Sequence, residues 1–142
     1  MSEAPTNVEA SPIVRLDLRF FGEAFDPDEI TRQLGIEPTT AFRPDDPITP
    51  DGEGRRRGFG WRLTALEREG LDIQDMLQEF RGRIPVPGQL MRQVCRDLDV
   101  RAVVFCGVRQ HGSQTTPALT FPPDFVGWVA ELGASIEIDL LF

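Results

Sequence analysis

The chain has 142 residues, 40% of them hydrophobic, and a formal charge of -8 from 15 basic and 23 acidic side chains. This suits one soluble domain with one core. All the basic residues are arginine, tyrosine is absent and there is a single histidine, which excludes Schiff-base lysine chemistry, a P-loop and two-histidine zinc sites.

The acidic balance disfavours nucleic acid, whose binding rests on neutralising phosphates, and equally an anionic membrane surface. It permits a basic protein partner. No apolar run reaches the roughly 18 residues of a membrane span. Met1 to Ser11 lacks the basic start and apolar stretch of a secretory signal. A cytoplasmic location and no cofactor are therefore expected. Arginine in place of lysine, with many Gly, Pro and Asp, matches a GC-rich genome.

Residues 1–11 are polar and are expected to form a disordered tail. Val14, Leu16, Leu18 and Phe20 then alternate with Arg15, Asp17, Arg19 and Phe21, the period of a half-buried strand. Asp26-Pro27-Asp28-Glu29 predicts a capped helix start, with Glu29 completing a capping box. Ile30 and Leu34 form its apolar side, and Gly35 suits the left-handed C-cap.

Residues 38–60 read as a long loop interrupted by four prolines, in which acids precede Arg55-Arg56-Arg57. Loops this long are functional or disordered. A short strand is expected at Thr39 to Arg43 and another at Phe59 to Leu63. Asp72 then predicts a helix cap, with Ile73, Met76, Leu77, Phe80 and Ile84 at helical spacing and a Leu71–Met76 staple. Pro85 and Pro87 end it. A further helix is expected over residues 88–98, with Leu90, Val94 and Leu98 on one face.

Val100 to Arg109 is apolar on both faces and reads as an interior strand. A polar turn over 110–116 and a short strand over 117–121 follow. Pro122-Pro123-Asp124 opens a helix that buries Phe125, Val129 and Leu132 and closes at Gly133. The chain ends in a strand with Ile136, Ile138, Leu140 and Phe142 on one face. Pro27-Asp28 to Leu34-Gly35 echoes Pro123-Asp124 to Leu132-Gly133, suggesting two related β-α-β halves. The polar faces of the two end strands, Arg15-Asp17-Arg19 and Glu137-Asp139, can pair if these strands are neighbours.

Cys106 and His111 lie close in sequence, but a cysteine in an apolar strand usually behaves as a buried hydrophobe. Cys95 and Cys106 are expected as free thiols in a reducing compartment. The carboxylate pairs at 26–29 and 137–139 are explained by capping and by an exposed strand, and Asp45-Asp46 lacks a calcium-ligand series. No catalytic residue and no metal ligand is assigned. The best binding candidates are Arg43, Arg55, Arg56, Arg57 and Arg62, whose forks match carboxylate and phosphate, with Trp61 as a stacking face. RNA-binding sheets display aromatics on their open face; the charged residues of these strands argue against that module.

Phe25-Asp26-Pro27-Asp28-Glu29-Ile30-Thr31-Arg32-Gln33-Leu34-Gly35-Ile36-Glu37-Pro38 resembles the start of a bacterial family catalogued as domain of unknown function 4279. Trp61-Arg62-Leu63 and Leu132-Gly133-Ala134-Ser135-Ile136-Glu137-Ile138-Asp139 resemble its central strand and its terminus. The chain departs from that pattern at Pro44-Asp45, where the family has Gly-Asp, and at Leu141-Phe142, where it has a tyrosine. The resemblance covers about residues 12–142 and implies a fold unit without implying an active site.

The sequence therefore predicts a single α+β domain over 12–142, with a mainly antiparallel sheet and helices on one face. The leading expectation is a non-enzymatic protein-interaction domain, one version being an immunity-type protein that neutralises a toxin. The alternative is a domain that senses a small anionic ligand through the Arg-rich loop, and a hydrolase comes last. Pairing of two copies through an edge strand is left open.

Overall fold

Strand β1 (Ile13–Phe21) is the centre of the molecule. In the computed structural model, which describes residues 11–70, 72–110 and 118–141, it is flanked on both sides by antiparallel partners. These are β3 (Gly60–Glu69) and β4 (Arg101–Arg109). β2 (Thr40–Phe42) adds to the outside of β3, and β5 (Ser135–Leu141) lies parallel to β4 at the other edge. The sheet order is β2-β3-β1-β4-β5. Four helices, α1 (Pro27–Leu34), α2 (Gln74–Gly82), α3 (Gly88–Leu98) and α4 (Pro123–Glu131), complete an α+β domain.

The period of two in β1 divides the sheet into a packed face and an open one. Val14, Leu16, Leu18 and Phe20 are almost fully buried and belong to the core shared with the helices. The register carries that face onto Leu66, Leu63 and Trp61 of β3 and onto Val108, Cys106, Val104 and Ala102 of β4. Phe80 of α2 and Phe125 and Trp128 of α4 meet ring to ring within it. Each fully buried large apolar side chain contributes roughly 1.5–3 kcal/mol.

Each β-α-β unit runs as a parallel crossover. β2 lies parallel to β1 with β3 inserted between them, whereas β4 and β5 are direct neighbours. The echoed helices thus serve crossovers of different width. Arg15, Asp17 and Arg19 do not pair with Glu137 and Asp139, because β4 separates the two strands.

Several local expectations are corrected. The Asp26 side chain caps α1 by accepting from the Asp28 N–H at 3.0 Å, but the Glu29 carboxylate bonds Arg32 rather than closing a capping box. Asp72 accepts from the Gln74 N–H, while Ile73 occupies the cap position of α2. β3 continues to Glu69, well beyond Leu63. In place of a strand over 117–121 there is one bridge, between Asp72 and Ala118. The tail at 1–10, the Leu71 side of the staple, and the turn from His111 onward lie outside the described residues.

Candidate functional site

The open face of the sheet is built from the other half of each strand. Beside Arg19 on β1 stand Arg62 of β3 and Val103 of β4; beside Asp17 stand Thr64 and Phe105; beside Arg15 stand Glu67 and Gly107. A shift of register between Leu16 and Asp17 lets β3 keep this phase past the bulge.

Asp17 is completely buried on this face. Its Oδ2 accepts from Arg19 Nε at 3.0 Å and Arg19 Nη2 at 2.8 Å, so both charge-assisted bonds converge on one oxygen and leave Oδ1 without a partner among the described residues. Arg15 Nε approaches the same oxygen at 3.4 Å. The held Arg19 guanidinium then lies flat over the Phe105 ring, 3.7 Å from its centroid, which leaves Phe105 only 6% exposed. One buried carboxylate thereby fixes two arginines, and one arginine roofs an aromatic.

Arg56 reaches the face from the loop after β2. Residues 43–56 form an ordered hairpin extension: the Asp45 N–H donates to the Arg56 carbonyl, the Arg56 N–H to the Asp46 carbonyl and the Ile48 N–H to the Gly54 carbonyl. Asp45 takes a left-handed conformation, φ 73°, at its base. The base is tied to α1 by Arg43, whose Nη2 donates to Asp26 and Asp28. This anchoring stacks the Arg56 guanidinium 4.0 Å from the Phe42 centroid. Phe42 can lie flat there because Gly60 has no Cβ; one would meet the ring at 2.2 Å.

Arg19, Arg56 and Arg62 converge on a hollow of about 150 Å³, together with Thr40, Phe21 and Phe42. Among the described residues no carboxylate lines it. Arg62 Nη2 donates to the Thr40 hydroxyl at 3.1 Å. Burial holds the Arg62 guanidinium below its ordinary value, and Arg15, Arg19 and Arg56 push it the same way against the pull of Asp17. Four cations thus gather around one carboxylate in a chain of net charge -8. Among the described residues, the buried side-chain atoms that lack a hydrogen-bond partner are Arg15 Nε, Asp17 Oδ1, Arg56 Nε and Arg62 Nε. All four belong to this cluster, and unsatisfied buried polar groups of this kind are rare.

At the other end of β1, Gly107 leaves a smaller hollow of about 50 Å³, lined by Arg15, Glu67, Phe105, Arg109 and Asp139 among others. Its charges balance. It does not share the one-sided character of the first.

Of the residues singled out in the sequence, Arg56, Trp61 and Arg62 all line the first hollow. Arg55 and Arg57 are exposed and outside its lining, and Arg43 is held by the two aspartates of α1. Trp61 is not a stacking face: its side chain turns to the helices, 1% exposed, packs edge-on against Phe20 and donates its indole N–H to Thr31 Oγ1 at 3.0 Å. Arg15, Asp17 and Arg19, which strand alternation places on the polar face of β1, are the structural centre of the cluster. The aromatics of the open face, Phe21, Phe42 and Phe105, were missed. They lie under or beside guanidiniums, so the face is not the bare stacking platform of an RNA-binding sheet.

Cys106 is fully buried on the packed face of β4, where burial pushes its thiol up to about 11. Cys95 is half-buried and shifted in the same direction. Both are free. His111 lies outside the described residues. Among the described residues no cluster of His, Cys, Asp and Glu has metal-site character, and no helix is long and apolar enough to cross a membrane.

A family model described as "Domain of unknown function (DUF4279)" matches residues 12–142. The chain belongs to the DUF4279 family. No curated protein and no solved structure matches it. The match spans the whole sheet and all four helices, so the arginine cluster lies within the DUF4279 unit.

Proposed function

We propose that this DUF4279 domain is a non-enzymatic binding protein whose ligand presents a phosphate or carboxylate to the hollow between β1, β2 and β3. The observation that carries the reading is the lining: three guanidiniums and one hydroxyl beside Phe20, Phe21, Phe42, Gly60 and Trp61, with no carboxylate among the described residues. Arginine forks suit such oxyanions, and their low hydration makes the desolvation affordable. The same lining supports binding over catalysis. Guanidinium holds its proton above pH 12 and makes a poor general base. The Thr40 hydroxyl accepts from Arg62 and has no base beside it.

Isothermal titration with pyrophosphate and with citrate tests this. Saturable binding to at least one is expected, weakening at least tenfold in Arg62→Gln and in Arg56→Gln, since a hydrogen bond to a charged group contributes about 1.5–3 kcal/mol. Arg55→Gln, outside the lining, leaves the affinity within twofold. Absence of heat with both anions, or equal losses in all three variants, contradicts the proposal.

A further inference from the structure

The far edge of the sheet differs from the anion hollow in every respect. Among the described residues β5 bonds to β4 alone and keeps an unbroken register with it from Ser135 to Leu141. Natural edges are blunted by shortness, proline, lysine or bulges. β2, at the opposite edge, is three residues long. β5 is seven residues long and has no proline, lysine or bulge, and the charges that guard it are acidic, Glu137 and Asp139. On its helix-side face, Ile138 and Leu140 are 45% and 42% exposed, and Val126 on the neighbouring α4 is 44% exposed. On its open face, Glu137 and Asp139 are exposed and make no ion pair among the described residues.

We infer that the free edge of β5 accepts an extended segment of another protein in which basic residues alternate with apolar ones. Strand addition supplies main-chain hydrogen bonds, and the alternating side chains supply specificity. The alternation of β5 sets the complement: apolar groups opposite Ile138 and Leu140, and cations opposite Glu137 and Asp139.

A second copy is a poor occupant. A two-fold antiparallel pair centred on Ile138 sets Glu137 opposite Asp139. Centring on Glu137 or Asp139 sets that acid opposite itself. Shifting by one residue to escape this turns apolar side chains against acids, and centring on Ile136 or Leu140 avoids the clash only by shortening the pairing to about three residues of β5. Like charges directly opposite destabilise the pair, whereas a basic strand converts the same positions into attraction. The inference stands on the edge alone and is independent of the anion hollow.

The experiment uses the full chain and two synthetic peptides, one alternating valine with arginine and one alternating valine with glutamate. Fluorescence anisotropy is expected to show binding of the arginine peptide only, with slowed amide exchange confined to residues 135–141. The double variant Glu137→Lys/Asp139→Lys, still net acidic, is expected to reverse the preference toward the glutamate peptide. Leu140→Ser weakens the arginine peptide at least fivefold without changing the exchange of β1. Unreversed preference in the double variant means that the peptide reads net charge and overturns the inference. So do protection elsewhere, no binding of either peptide, or a β5-paired homodimer by sedimentation and amide exchange.

Discussion

Asp17 has no exposed surface, and the two arginines beside it on β1 depend on it. Removing one member of a buried ion pair leaves the others uncompensated. Asp17→Asn is therefore expected to lower the unfolding free energy by about 3 kcal/mol, read from urea denaturation; a loss under 1 kcal/mol would contradict the role given to this carboxylate. Cys106 makes a pH-dependent prediction. Its thiol is raised to about 11 in the folded chain, above an unfolded value of about 8.5. The neutral thiol is thus favoured by the fold. Its contribution is complete below the unfolded value and is lost as pH rises from there toward about 11, with a slope of at most about 1.4 kcal/mol per unit. Cys106→Ala should flatten the alkaline limb of the stability profile, whatever it costs at neutral pH. The burial of Cys106 was legible from its apolar strand, whereas the role of Asp17 was not. Alternation correctly placed Asp17 on the polar face of β1, but its burial comes from Arg19, whose guanidinium is folded back over Phe105 of a strand distant in sequence.

At the scale of elements, the helices were the most legible because their ends are punctuated chemically. Asp26, Pro27 and Gly35 delimit α1, and Pro122, Pro123 and Gly133 do the same for α4. β3 was read short because Thr64 to Glu69 is polar on its open face and its apolar phase shifts at the bulge opposite Leu16/Asp17. The loop over 38–60 was legible as functional or disordered; its order comes from Asp26 and Asp28 holding Arg43, a contact between residues 15 and 17 positions apart. The double variant Asp26→Ala/Asp28→Ala removes both a helix cap and that tether. The cap contributes about 1 kcal/mol, and the variant should additionally increase amide exchange through residues 43–56; unchanged exchange there would show that the hairpin stands without the tether. Gly60→Val addresses the stack. Any Cβ at that position meets the Phe42 ring, which must move and take the Arg56 contact with it. Anion affinity is expected to fall at least tenfold while the far-ultraviolet circular dichroism is retained.

For the whole molecule, composition alone favoured a basic partner over an anionic ligand. That inference averages charge over the surface, whereas the fold segregates it: arginines from β1, β3 and the 43–56 hairpin meet on one side of the sheet, and Glu137 and Asp139 stay unpaired toward the other edge. Sheet order decides this, and it cannot be read from strand patterns, since β1 could have paired with β5 on the same evidence. The consequence is one chain with a cationic hollow and an acidic, half-apolar edge. The central claim is that Arg19, Arg56 and Arg62 form an oxyanion site, and the most direct measurement is anomalous diffraction from crystals grown with tungstate. The account predicts a strong tungsten peak within hydrogen-bond reach of those three guanidiniums, lost in Arg62→Gln crystals. An empty hollow with tungsten bound only at exposed arginines such as Arg55 or Arg57 would contradict it.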